Sequence, residues 1–213
     1  MEKNYQLTAR QLYYLGKLLK ARYIDYSYVS AITDILDNFA TYENEIIDEL
    51  SQKGLLTEDF SGQITVDSDL QEMLDPIFNG GTETAIDVCI FGNNESLQMY
   101  RFHSSDGKIV QVKNSADHLE ISYVDYETIR KTIEDIIPET YTGENSTQIK
   151  EFDPSRIHEV ISIKNAIFND SSITKTYVMM DEVLYEETSE NAINPVSRTS
   201  FIEEAEGILV EVM

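Results

Sequence analysis

The hydrophobic period of this 213-residue chain changes partway along, and that change limits the folds open to it. Up to Pro76 the apolar side chains recur at helical spacing; from Thr84 they alternate, so that successive residues face opposite sides of strands. Thr84–Phe91, Glu95–His103, Lys108–Lys113 and His118–Val124 are four strand candidates, joined by Gly92-Asn93-Asn94, by Ser104–Gly107 and by Asn114–Asp117. Polar turns this short connect antiparallel neighbours, which predicts a meander. Helices leading into an antiparallel sheet give an α+β architecture, with helices flanking the sheet.

The helical part reads in detail. Thr8 and Gln11 form a T-x-x-Q capping box, Leu7 and Leu12 a hydrophobic staple, and Leu12, Leu15, Leu18 and Leu19 an apolar stripe. A second helix is expected near Val29–Phe39, with Val29, Ile32, Ile35 or Leu36, and Phe39 facing inward. A third spans Glu43–Lys53, with Ile46, Ile47 and Leu50 apolar and Gly54 as its stop. After a turn at Asp59–Gly62 and a short strand at Ile64–Val66, Asp67 caps a fourth helix that carries Leu70, Met73 and Leu74 up to Pro76.

Beyond the meander, Asp125 caps a helix bearing Ile129, Ile133, Ile136 and Ile137. Residues 138–152 lack periodicity and read as a linker between an N-terminal half, 1–137, and a C-terminal half, 153–213. In the second half Asp153 and Pro154 predict a helix start, with Ile157, Val160, Ile161 and Ile167 inward. Strands are expected at Ile173–Met180, Val183–Glu187, Val196–Glu203 and Ile208–Val212, the last two joined as a hairpin by Glu204–Gly207. The second half then reads as a shorter version of the first plan, and the two are expected to pack as one domain.

The formal charge of −23 is uneven. Residues 1–22 carry a net +4, leaving −27 for the rest, and residues 23–87 hold fifteen acids against Lys53 alone. Such a field repels phosphates and argues against nucleic-acid binding, while it favours solubility and basic partners. No apolar run reaches the ~18 residues of a membrane span, and the N-terminus lacks the apolar run of a signal peptide, so a cytoplasmic protein is expected. Cys89, the only cysteine, sits between Val88 and Ile90 and reads as an inert core thiol.

Catalytic chemistry finds no foothold. There is no G-x-S-x-G elbow and no phosphate-binding glycine loop; His103, His118 and His158 lie far apart and read as surface or rim residues. Asp67-Ser68-Asp69 starts like a calcium loop but has Glu72 where the loop needs glycine, so Asp67 reads as a cap. Glu186-Glu187 and Glu203-Glu204 read as strand-end acids. The chain is expected to be no enzyme, with no catalytic residue, metal or cofactor. Thirteen tyrosines and six methionines, without tryptophan, are the remaining oddity. Tyr177, Met179 and Tyr185, on successive strands, either form an adaptable contact patch or fill the core.

The segments LTARQLYYLGKLL and ELSQKGLLTEDFSGQITVDSDLQEMLDPIF, with the strands DVCIFG, ESLQMYRFH, KIVQVKN and HLEISYV, together resemble the EspG family of chaperones associated with ESX (type VII) secretion. The resemblance rests most on Leu50, Gly54, Leu55, Gly62, Leu70 and Leu74; it covers about residues 5–137 and, loosely, Ser200–Met213. It implies a quasi-symmetric α+β fold and a cytosolic chaperone that shields the hydrophobic tip of a helical secretion substrate. The family's loop between the second and third meander strands corresponds to Ser104, Ser105, Asp106 and Gly107. The chain departs from the family in its acidity and in lacking a glycine-aromatic close. Its Ile-, Asn- and Lys-containing style suggests a low-GC Gram-positive source, where the substrate would be an LXG toxin or a small helical WXG-type protein. Acidity also fits a second reading, an immunity protein that blocks the basic cleft of a nuclease toxin.

Overall fold

The alternating segments do form a meander. In the computed structural model, which describes residues 3–80, 82–92, 95–139, 149, 153–167, 174–188 and 192–210, four consecutive strands follow the helical region. They are preceded by β1 (Asn4–Leu7), β2 (Leu56–Glu58) and β3 (Ile64–Val66), and comprise β4 (Thr82–Ile90), β5 (Ser96–Ser105), β6 (Lys108–Ser115) and β7 (His118–Val124). Four more follow, β8 (Ile157–Ile167), β9 (Thr174–Met180), β10 (Val183–Glu187) and β11 (Ile193–Pro195). Among the described residues the strand order of the large sheet is β1-β7-β6-β5-β4-β8-β9-β10-β11, and β2 pairs only with β3. A strand-by-strand repeat is visible: each set of four is followed by a helix, α5 (Tyr126–Ile136) or α6 (Arg198–Val210), and the sets meet where β4 pairs antiparallel with β8.

Chain contacts divide into two compact units, residues 1–80 with 110–123, and 81–109 with 124–213. The division cuts across the expected halves at 137, because Val110 and Val112 of β6 and Leu119 and Ile121 of β7 are buried in the first unit's core.

In the first unit α1 (Ala9–Leu18) starts at the predicted capping box: Thr8 accepts from the Gln11 amide at 3.2 Å and Gln11 accepts from the Thr8 amide at 3.1 Å. Leu7, Leu12 and Leu15 are fully buried with Ile46, Leu50, Leu70, Met73 and Leu74. The predicted second helix is broken into a single turn, α2 (Tyr26–Val29), and two 3₁₀ segments at Ser30–Ile32 and Leu36–Tyr42. Hydroxyls there bond to backbone carbonyls, Ser30 to Ser27, Thr33 to Ser30 and Thr41 to Asn38, and compete with a regular helix. Val29, Ile32 and Phe39 still turn inward. The next helices, α3 (Glu43–Gln52) and α4 (Ser68–Asn79), match expectation, except that α4 runs one turn past Pro76. The positive N-terminal segment is answered locally, Lys17 to Glu43 at 2.8 Å, Arg10 to Glu45 and Glu49, and Lys3 to Asp69.

The second unit corrects two expectations. Asp153 caps its neighbour's turn, accepting from the Ser155 amide at 2.9 Å, but the turn is a 3₁₀ segment of three residues and the expected helix is strand β8. Ile157, Val160, Ile161 and Ile163 fit either period, and four β-branched residues with a partner strand on each side favour the sheet. From Arg198 onward the expected strand Val196–Glu203 and, within the described residues, Ile208–Val210 are instead helix α6, so the Glu204–Gly207 hairpin does not exist. Phe201, Ile202, Ala205, Ile208 and Leu209 recur at helical spacing and are buried, and Ser197 accepts from the Ser200 amide at 3.0 Å at the helix start. Most of the expected linker lies outside the described residues, though Ile149 bridges to Ile193 at 3.1 Å in both directions.

Gly207 sits on the exposed side of α6, with nothing within 4 Å of where a Cβ would lie. Gly207→Ala is expected to raise stability by about 0.5–1 kcal/mol, read as a higher urea midpoint.

A polar network ties α6 to the sheet. Lys175 reaches Glu186 at 2.5 Å and Glu204 at 2.8 Å, while the Tyr177 hydroxyl donates to Glu204 at 2.6 Å. Burial pushes the Glu204 carboxyl up, but hydrogen bonds from Lys175 and Tyr177 outweigh it and hold the group below its ordinary value. Burial, reinforced by Glu204, drives the Tyr177 hydroxyl far above the normal phenol range, so it stays a donor. A carboxyl depressed by folding contributes stability that is present above its unfolded pKa of about 4.3 and lost as pH falls through the lower folded value. Urea midpoints measured from neutral to about pH 3 should therefore fall in acid, and Glu204→Gln should flatten that fall.

Candidate partner-binding surface

The register places one residue from each of six strands in a single row across one face of the second unit. Leu97 on β5 pairs with Cys89 on β4, Cys89 with Val160 on β8, Val160 with Val178 on β9, Val178 with Tyr185 on β10, and Tyr185 with Pro195 on β11. All six are apolar or nearly so. The row is open at one end and closed at the other: Leu97 is 48% exposed, Cys89 and Val160 are half-buried, and Val178 and Tyr185 are buried with Met180 and Ile193. Phe91, just past the end of β4, is 49% exposed beside the open end. Strands lie about 4.8 Å apart, so Leu97, Cys89 and Val160 span about 10 Å, the width of one helix with its side chains.

One step along the strands the face turns polar, with Met99 opposite Asp87, Asp87 opposite Ser162 and Ser162 opposite Thr176. Beyond that it is ionic and buried. Arg101, with only 6% of its side chain exposed, lies 2.7 Å from Asp87 and 3.5 Å from Glu83, and His103 stands 3.9 Å from Glu83. This corrects the expectation that each histidine sits at the surface or rim: His103 is buried on the inner part of β5, because the alternation puts it on the same face as Arg101. His118 does take a rim position, 2.8 Å from Asp117, and His158 is exposed.

Cys89 is half-buried on the open row, not deep in the core, since residues of its parity face away from α6. Burial and then the Asp87 charge raise its thiol, which keeps it protonated and inert at neutral pH.

The residues named from sequence are scattered by the fold. Tyr177 is fully buried, its ring packed edge-on against Phe201 at 5.0 Å, which leaves no outward patch for it. Tyr177 and Met179 share the face under α6, whereas Tyr185 pairs with Val178 and so points to the opposite face. Met179 is half-buried and Tyr185 buried, so of the two sequence readings the core filling describes the two tyrosines. Ser104 and Ser105 close β5, and Asp106 and Gly107 make a two-residue turn with φ of +51° and +75°. That turn lies at the far end of β5 from Leu97, about 30 Å away along the strand. Of the expected strand-end acids, Glu186 and Glu187 do close β10, with Glu186 paired to Lys175, whereas Glu203 and Glu204 lie within α6.

Leu97, Cys89 and Val160 were not singled out by sequence reasoning. The alternation in β5 already placed Leu97 and Met99 on one face, but only the pairing of β4 with β8 joins them to Val160.

No family profile matches the chain, and no curated protein matches its sequence. Among solved structures, the chain is similar to the Mycobacterium tuberculosis type VII secretion system chaperone EspG5, solved in complex with a PE25–PPE41 dimer. The match has a TM-score of 0.66 over 99% of this chain and 97% of that one, at 6% identity. The fold is EspG-like. Among the described residues no helix is long and apolar enough to cross a membrane, and no group of three or more His, Cys, Asp or Glu is placed to hold a metal ion.

Proposed function

We propose that the chain is a cytoplasmic chaperone, not an enzyme, that binds a helical secreted protein of the type VII class and keeps it soluble until export. The open half of the apolar row carries this reading: it offers a strip one helix wide, bounded by Asp87 on one side and continuous with a closed core on the other. An amphipathic helical tip laid on Leu97, Cys89 and Val160 would exclude water from all three, and at roughly 25 cal/mol per Å² a few such anchors suffice for a specific complex. The likeness to a chaperone whose complex contains a PE25–PPE41 dimer supports a helical partner; an LXG- or WXG-type protein is the finer form of the same proposal.

The immunity reading keeps one observation in its favour. From Gly54 to Tyr100 the chain contains no Lys, Arg or His, an acidic run suited to a basic toxin cleft.

Co-expression separates the two. Leu97→Asp places a charge in the strip without touching the buried core, and should weaken binding to a co-expressed helical secreted protein about tenfold or more, measured by calorimetry. Unchanged affinity, or binding to a toxin's catalytic domain in its place, would defeat the chaperone reading.

A further inference from the structure

The first unit carries a second exposed apolar feature that the strip does not explain. Phe60 stands at the tip of the β2–β3 hairpin with a relative exposure of 114%, so it is fully open to solvent. The hairpin that presents it is rigid by construction. Its strands pair Leu56 with Val66, Thr57 with Thr65 and Glu58 with Ile64, and Leu56 and Val66 are buried in the unit's core. The tip is tied by Asp59, whose Oδ1 accepts from the Ser61 amide at 2.8 Å, the Ser61 hydroxyl at 2.6 Å and the Gln63 amide at 3.0 Å. The Asp59 amide donates to the Gln63 carbonyl, and Gly62, at φ +83°, makes the left-handed step that closes the loop.

A pre-ordered loop loses little conformational entropy when its ring is buried by a partner, which is how aromatic anchors become dominant contacts. The flanking charges say what kind of partner. Glu58 and Asp59 lead directly into Phe60, and the nearest basic residues in sequence are Lys53 and Arg101. A second copy of this chain, at −23, is repelled, and so is an anionic membrane surface.

We propose that the Phe60 hairpin is a docking anchor for a protein bearing an apolar socket rimmed by Lys or Arg, separate from the helix-binding strip. Phe60 enters the socket, and Glu58 and Asp59 pair with its rim.

The chain has no tryptophan, so Phe60→Trp installs a sole fluorescent reporter at the tip. Wild-type and Phe60→Ala chains serve as baits for total soluble protein of the source cell; each protein held by the first and lost from the second is made recombinantly and titrated into the Phe60→Trp chain. A blue shift of the tryptophan emission is expected, and calorimetry of the wild-type and Phe60→Ala chains should show affinity lowered about tenfold or more by Phe60→Ala. Glu58→Lys and added salt should each weaken the complex. Because Phe60 makes no core contact, the Phe60→Ala chain should melt as the wild type does, which separates lost docking from lost folding. Identical proteins on both baits, or titrations that leave the emission unshifted, overturn the proposal. So do a dimer in sedimentation that Phe60→Ala dissolves, and a blue shift produced by anionic vesicles alone.

Discussion

Replacing Arg101 by Ala is expected to destabilise the chain by about 3–5 kcal/mol, the loss that follows when one partner of a buried ion pair is deleted. The guanidinium lies between Glu83 and Asp87 and also donates to the Tyr100 carbonyl at 3.2 Å. Glu83 has 12% of its side chain exposed, so little water is available to replace the lost partner. The cost resides in the stranded carboxylates. Neutralising them together, with Arg101→Met, Glu83→Gln and Asp87→Asn, should therefore recover most of the loss. Urea denaturation decides it: the midpoint should fall for Arg101→Ala with an unchanged slope, and rise again for the triple variant. A loss under about 1 kcal/mol would place the cluster among exposed pairs of little consequence.

The second large effect concerns α6. Phe201→Ala is expected to cost about 3–5 kcal/mol, because it removes a fully buried ring and leaves a cavity beside Tyr177. The lost edge-on pair adds to the transfer term. Tyr177 would then be held mainly through Glu204 and loosen from the sheet. Phe201→Leu keeps most of the volume and should cost about 1 kcal/mol. The contrast between the two variants, read from urea midpoints, tests whether residue 201 faces the core of a packed helix. Equal and small effects would fit an exposed position and would count against α6 as described.

Much of the fold was legible locally. The Thr8–Gln11 capping box, the caps at Asp67 and Asp125 and the meander from β4 to β7 each depend on residues within a few positions of one another, and each formed as read. Besides the broken second helix, two segments of the second unit were misread where local signals were ambiguous. Ile157–Ile167 satisfies both periods, and its partners β4 and β9 lie far away in sequence. In 198–210 the β-branched residues and Gly207 favoured a hairpin, while the spacing of Phe201, Ala205, Ile208 and Leu209 favoured a helix; burial against Tyr177 settled the matter. β1 was invisible because four residues make a strand only once β7 is there to pair with them.

The candidate surface follows the same division. That the chain is strongly acidic, that its strands alternate, and that an apolar Leu97 and a lone Cys89 lie on two of them are properties of the sequence alone. Which face each side chain occupies is a matter of parity within one strand; which residues stand beside it depends on register across strands. Only the paired sheet could bring Leu97, Cys89 and Val160 into one open row while turning Tyr177 and Tyr185 to opposite sides. A chain carries its periodicity in neighbouring residues, but long-range pairing joins residues that are neighbours nowhere but in the fold.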